Sequence, residues 1–173
     1  PDHDFLGIEV SRKYARFAAA GLAKRGSPNG KVVHGDGLRI FHDLMPNEVA
    51  SAIHVYFPDP WWKARHRKRR VMNDAFVRDI ERTLQANGIL HFWTDVKEYY
   101  DATVELIKDA TNLVGPFIPA EEAVEDDMDF RTHFERRTRL NLEPVFRAEF
   151  RKSCTADDSL EKRTPEQRES EVR

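Results

Sequence analysis

Cysteine is nearly absent from this chain: a single thiol, Cys154, stands among 173 residues. One cysteine cannot close an internal disulfide, and no pair of His or Cys has the spacing of a zinc motif. A reducing, cytoplasmic setting without metal is therefore expected. Long apolar runs are also missing. The hydrophobic residues make up 40% of the chain but are scattered, which argues against a membrane-spanning chain, while their share is too high for a disordered one. The first residue is Pro1 rather than Met, and Asp2-His3-Asp4 leads straight into an apolar stretch without the basic region and cleavage site of a signal peptide. A chain shortened at its amino-terminal end is the expectation.

Net charge is small, 28 Lys+Arg against 30 Asp+Glu, yet it is unevenly placed. Six cations fall within the eight residues Lys63 to Arg70, and without them the chain keeps 22 Lys+Arg against 30 Asp+Glu. Concentrated cations on an acidic body point to a local anionic partner, since phosphate attraction needs clustered charge. A solvated helix face or a localisation-like stretch are the plainer readings of the run. The opposite pole, Glu121 to Asp127, reads as a solvated loop. From residue 153 to 173 the chain is charged and poor in large apolar groups, which predicts a disordered tail after a domain of residues 1–152.

Short apolar segments alternate with helical stretches. Phe5 to Val10 reads as a buried parallel strand, followed by a helix from Arg12 to Arg25 that Ser11 can cap and Gly26 ends, with Tyr14, Phe17, Ala18 and Leu22 on one face. Lys31 to His34 and Ala52 to Phe57 are further strands, with Gly35-Asp36-Gly37 as a turn. Asn73 can cap a helix running to Ala86, Gly88 stops it, Ile89 to Trp93 follows as a strand, and Val96 to Ala110 as another helix. Val145 to Phe150 alternates as a final strand, antiparallel to the rest. This order implies an α/β fold whose mostly parallel sheet carries helices on both faces. Ligands of such sheets sit beyond the carboxyl ends of the strands, where this chain places Glu9, Asp36, Asp59 and Asp95.

Glu9 closes a strand before a helix, where a carboxylate can accept ribose hydroxyls or simply favour the helix start. Asp36 is equally ambiguous, because Gly-Asp-Gly is also an ordinary turn. Phe57-Pro58-Asp59-Pro60-Trp61-Trp62-Lys63 is more specific. Two prolines stiffen a loop that holds an acid beside flat aromatic walls, suited to fixing a planar, partly cationic group; two tryptophans filling the core are the plain alternative. An acid and aromatic pocket joined to a basic segment is what an enzyme acting on one base of a polynucleotide needs. Thr94-Asp95 and Thr132-His133-Phe134-Glu135 add hydrogen-bonding groups, or serve as a helix cap and a surface capping pair.

Taken in order, FLGIEV, GDG, FPDPWWKARHRKRR, ILHFWTD and THFE resemble the tRNA (guanine-N7)-methyltransferase family of class I, S-adenosylmethionine-dependent methyltransferases, over about residues 4 to 152. The resemblance implies a Rossmann-like methyltransferase sheet, S-adenosylmethionine as cofactor, tRNA as partner, and 7-methylguanosine formed at a guanine of the variable loop. It implies contacts to S-adenosylmethionine from Glu9, Asp36 and Asp59, with Asp59 also catalytic. Substrate contacts would come from Lys63, Asp95, Thr132, His133, Phe134 and Glu135, and RNA contacts from Arg65, His66, Arg67, Lys68, Arg69 and Arg70. Neither a metal nor a membrane is implied, and a protein partner subunit is not evident. The chain departs from the pattern in two places. No strand with a Gly-x-Gly loop precedes Glu9, so the first strand-helix unit is expected to be missing; and Asn73-Asp74 stand where relatives commonly have a proline. The alternative is a catalytically incomplete fragment or remnant that acts only as an RNA-binding module.

Overall fold

In the computed structural model, residues 3–119, 136 and 144–154 are described. The chain divides into two compact units, Pro1–Met45 and Pro46–Arg173.

The first unit contains strand β1 (Phe5–Glu9), helix α1 (Arg12–Arg25), strand β2 (Gly30–His34) and the short helix α2 (Gly37–Asp43). The strands pair in parallel from Phe5 against Gly30 to Glu9 against His34. Helix α1 covers the span expected and ends on Gly26 at φ 63°, the left-handed conformation that glycine adopts without a Cβ clash. Ser11 occupies the first cap position but makes no cap bond through its side chain. Its backbone N–H is taken by the Glu9 carboxylate at 2.6 Å instead. The apolar stripe of α1 lies open: Tyr14 is 61% and Phe17 77% exposed, and Ala15 is the helix residue that is buried. Helical spacing marked the stripe correctly, but the helix meets its unit through Ala15 and through Leu22, whose methyls fill the space beside Gly30. Asp36, expected in a turn, caps α2 by accepting the Leu38 N–H at 3.0 Å.

The second unit holds strand β3 (Ala50–Tyr56), a 3-10 helix (Ala64–Arg69), helix α3 (Asp74–Thr83), strand β4 (Leu84–Thr94), helix α4 (Lys97–Ala110), strand β5 (Val114–Phe117) and strand β6 (Phe146–Arg151). Its sheet has the order β3-β4-β6-β5, with β3 and β4 parallel and β6 antiparallel to both β4 and β5, as the alternation of Phe146 to Phe150 suggested. One face carries Ile53, Leu90, Phe92, Ala148 and Phe150, all buried. Helix α4 closes over this face, its Tyr99 ring meeting Phe92 edge-on at 5.9 Å. The other face bears two cross-strand rows, His54-His91-Glu149 and Tyr56-Trp93-Arg147. In the first row the imidazoles stack at 4.5 Å and His91 Nδ1 lies 3.1 Å from Glu149; in the second, the Arg147 guanidinium lies 4.9 Å from the Trp93 ring.

Helix α3 stops at Thr83, three residues short of the expected Ala86, and Gly88 is not its cap. The cause lies outside the helix: the carbonyls of Arg82 and Thr83 accept the N–H groups of Glu48 and Val49, at 3.0 and 2.9 Å, which draws the last turn into the lead-in to β3. Leu84 already pairs with Ala50. Gly88 serves close approach instead, since a Cβ there would sit 3.1 Å from the Ala50 carbonyl oxygen and 2.9 Å from that of Gln85. Strand β5 had no sequence signal. Its Gly115 and Pro116 speak against a strand, and among the described residues it tolerates them as an edge element paired with β6 alone.

Candidate functional site

Parallel strands end together, so the strand ends of each unit define one rim. In the first unit Glu9 closes β1, and Asp36 follows β2 by two residues. The two strand ends are tied together by the Gly35 N–H, which donates to the Glu9 carbonyl at 3.0 Å. Glu9 is half-buried and Asp36 exposed. Each carboxylate uses one oxygen on a local backbone N–H, which fixes its direction and leaves the other oxygen available.

In the second unit, β3 and β4 deliver the Phe57 to Lys63 loop and Thr94-Asp95 to one rim. The Phe57 N–H donates to the Trp93 carbonyl at 2.8 Å, so the loop leaves the sheet from a fixed point. Phe57 and Trp61 then adopt φ of 49° and 43°, bracketing Pro58-Asp59-Pro60. Left-handed backbone at two aromatic residues costs energy and persists only where neighbours over-determine it. The loop lines a pocket of about 340 Å³ with Asp59, Pro60, Trp61, Trp62, Lys63 and His66. Asp59 and Lys63 are exposed and Trp62 is 66% exposed, so this aromatic pair does not fill the core; Trp93, at 3%, does.

The basic run is a 3-10 helix from Ala64 to Arg69, joined to the loop by the His66 N–H donating to the Lys63 carbonyl at 2.7 Å. Lys63, Arg65, Lys68 and Arg69 are exposed. His66 is half-buried; its ring meets Trp61 edge-on at 5.7 Å and its Nε2 accepts from Arg65 Nε at 3.2 Å. The Arg69 guanidinium lies 5.2 Å from the Trp61 ring, and Arg67 lies within the helical turn.

Arg70 departs from the expectation that it faces RNA. It is only 8% exposed and points into the unit. Its Nε donates to the Pro60 carbonyl at 2.7 Å, its guanidinium lies 4.6 Å from the Tyr99 ring, and a terminal nitrogen is 3.7 Å from Glu98. Tyr99 is 1% exposed, and its hydroxyl accepts the Met72 N–H at 3.3 Å. Burial pushes the Tyr99 phenol above its ordinary value; the Met72 N–H and the Arg70 charge oppose that shift, and the Asp59 charge adds to it. Neither Tyr99 nor Glu98 had a sequence signal as a site residue, since both lie on α4, far along the chain from the loop.

Asp95 is half-buried after β4 and does not cap α4, whose first cap position falls on Val96; the Thr94 hydroxyl accepts the Val96 N–H at 3.2 Å. Thr132, His133, Phe134 and Glu135 lie outside the described residues. Among the described residues there is no group of three or more His, Cys, Asp or Glu able to hold a metal ion, and no helix long and apolar enough to cross a membrane. The second unit thus presents an acid, flat aromatic surface and exposed cations on one stiff segment. The first presents two oriented carboxylates at strand ends.

Comparison with known proteins places these features in context. A family model described as "Putative methyltransferase" matches residues 1–148. The tRNA (guanine-N(7)-)-methyltransferase of Rhodopirellula baltica is 45% identical over 158 residues, covering 88% of this chain and 58% of that protein. Its counterpart in Nitrosococcus oceani is 33% identical over 153 residues, covering 88% of this chain and 63% of that protein. The chain therefore spans about three-fifths of the length of these relatives. Among solved structures, an rRNA methylase from Streptococcus thermophilus superposes with a TM-score of 0.55 at 12% identity, covering 87% of this chain and 74% of that one. A SAM-dependent O-methyltransferase from Thermotoga maritima does so with 0.54 at 14%, covering 87% of this chain and 50% of that one. At such identities the likeness concerns the fold, which is the Rossmann-like α/β methyltransferase fold with a mixed sheet.

Proposed function

The chain belongs to the tRNA (guanine-N7)-methyltransferase family, and from that premise we propose that the protein transfers a methyl group from S-adenosylmethionine to N7 of a guanine in tRNA. The observation that carries the reading is the loop of Asp59, Trp61, Trp62 and Lys63, continuous with a 3-10 helix of exposed cations. In this reading residues 1–152 form the methyltransferase domain, residues 153–173 a charged tail, and the cytoplasm is the place of action.

The carboxylates suit the cofactor. Glu9 at the end of one parallel strand and Asp36 just after the other each have one oxygen held by a backbone N–H, which orients them as acceptors for hydroxyl or ammonium donors. Asp59, on the rim of the second unit, is likewise proposed as a contact to the cofactor. When bound, S-adenosylmethionine supplies a methyl group on positively charged sulfur. Guanine N7 is an unprotonated acceptor, so no base has to remove a proton before it attacks. The cofactor would thus supply the methyl group to N7, with the electron pair of the C–S bond left on sulfur and the positive charge passed to the guanine ring.

What the chain must contribute is alignment and charge. Asp59 stabilises the ring as it becomes cationic and orients it, while Trp61 and Trp62 offer flat surface for the base. Lys63, Asp95 and Thr132, His133, Phe134 and Glu135 contact the nucleotide, and Arg65, His66, Arg67, Lys68 and Arg69 hold the RNA backbone.

Titration of the full-length protein with S-adenosylhomocysteine by calorimetry, followed by methylation of tRNA with mapping of the modified base, tests the reading. Micromolar binding and 7-methylguanosine support it. Binding of tRNA without either would support the module that binds RNA only. Asp59→Asn should lower kcat by roughly 100-fold, the size seen when one oriented electrostatic group is removed, and leave tRNA affinity within a few-fold. An equal loss of turnover and affinity would remove Asp59 from the chemistry.

A further inference from the structure

The six cations of the basic run do not share one job. Arg70, its last member, is buried, donates from Nε to the carbonyl of Pro60 at 2.7 Å, lies over Tyr99 at 4.6 Å and approaches Glu98 to 3.7 Å. Resting on the methyltransferase reading, we propose that Arg70 is a positioning residue that clamps the Pro58-Asp59-Pro60 turn and so holds the Asp59 carboxylate in place, rather than a contact to RNA.

Three observations converge on this. First, the turn is bracketed by two aromatic residues with positive φ, Phe57 and Trp61, so it needs restraint on both sides. Phe57 has it from the Trp93 carbonyl at 2.8 Å. On the far side, Pro60 has no N–H to give, and its carbonyl is taken by the Arg70 guanidinium. Second, a bond from a charged donor is stronger than one from a neutral group, and the planar guanidinium can lie flat on the phenol ring while donating in its own plane. Third, the ring beneath it is itself fixed: Tyr99 is 1% exposed and its hydroxyl accepts the Met72 N–H at 3.3 Å. The restraint therefore passes from helix α4 through Tyr99 and Arg70 to the turn that carries Asp59. A guanidinium so committed has little surface left for a phosphate.

Hydrogen exchange and kinetics on the full-length protein test this together, using Arg70→Met, Arg70→Lys and, as a comparison, Arg69→Met. Arg70→Met should speed exchange at the Phe57 amide, which the Trp93 carbonyl holds at 2.8 Å, at least tenfold. It should lower kcat at saturating tRNA at least tenfold, while the affinity for bulk tRNA stays within twofold and its salt dependence is unchanged. Arg70→Lys keeps one charged donor and should recover part of both. Arg69→Met should do the reverse, weakening tRNA binding and its salt dependence with normal exchange in the loop. Unchanged exchange in Arg70→Met overturns the proposal, and so does a reduced salt dependence with normal kcat. Should Arg70→Met not fold, Arg70→Lys answers the same question through exchange. Because exchange is read without catalysis, a wild type that fails to methylate tRNA would refute the functional reading while this test still decides the clamp.

Discussion

Removing the exposed half of the basic run gives the most direct quantitative test of RNA binding. Lys63, Arg65, Lys68 and Arg69 are exposed, whereas Arg70 is buried against Pro60 and Tyr99. Replacing those four by Gln removes charge but keeps polarity and most of the aliphatic stem. If each neutralises one phosphate, counterion release of 0.7 to 0.9 ion per contact predicts that the slope of log K against log salt becomes shallower by about 3. Between about 50 and 200 mM salt the wild type would then lose roughly 60-fold more affinity than the variant. Fluorescence anisotropy of labelled tRNA, titrated at several KCl concentrations, measures the slope directly. The fold should be unaffected, because exposed side chains away from core contacts usually change stability by no more than about 0.5 kcal/mol. A slope that stays within about 0.5 of the wild-type value would refute the assignment of this segment to the RNA backbone.

Further expectations concern stability of the second unit and its response to pH. Phe92 is fully buried between Tyr99 and Tyr100, so Phe92→Ala should cost about 3–5 kcal/mol in urea unfolding; a loss below about 1 kcal/mol would mean that the sheet and α4 do not share this core. Asn73 accepts the Phe76 N–H at 3.1 Å, and Asn73→Ala should therefore cost about 0.5–2 kcal/mol, with Asn73→Ser near neutral; equal effects of the two would argue against the cap. Burial raises the Tyr99 phenol above its ordinary value of 10.0, so the unfolded chain releases this proton at lower pH than the folded one. The resulting stability is complete below pH 10.0 and is lost as pH rises through the folded value; Tyr99→Phe should remove that part of the alkaline slope in pH-dependent unfolding, and an unchanged slope would contradict it.

Much of the fold could be read from local pattern, because local forces decide it. Gly26 ends α1 and Asn73 caps α3 through bonds within a few residues, and the alternation of Phe146 to Phe150 follows from which face of β6 meets the core. What pattern could not give were the decisions made by distant partners. The end of α3 at Thr83 depends on Glu48 and Val49 capturing its last carbonyls. Tyr14 and Phe17 sit at helical spacing yet stay exposed, because periodicity marks a stripe and not what covers it. The loop's role as a presented surface was legible, since two prolines beside Trp62 and Lys63 are poor core material, whereas the direction of Arg70 was not.

That last difference has a physical origin in the loop itself. A stiff turn with Pro at two of its positions is short of N–H donors, so its carbonyls must be satisfied from elsewhere or left to solvent. Water would leave the turn free to relax from the positive φ at Phe57 and Trp61. A cation following closely in sequence can reach back, and the 3-10 helix from Ala64 to Arg69 is long enough to return Arg70 to Pro60. The same short helix leaves Lys63, Arg65, Lys68 and Arg69 exposed. One compact basic segment can therefore both brace the acid-bearing turn and present charge to a polyanion, and it does so only if its cations are not equivalent. The two single changes Arg69→Gln and Arg70→Gln should separate the two functions: the first loses salt-dependent affinity, the second turnover. Identical phenotypes would mean that the run acts as undifferentiated charge.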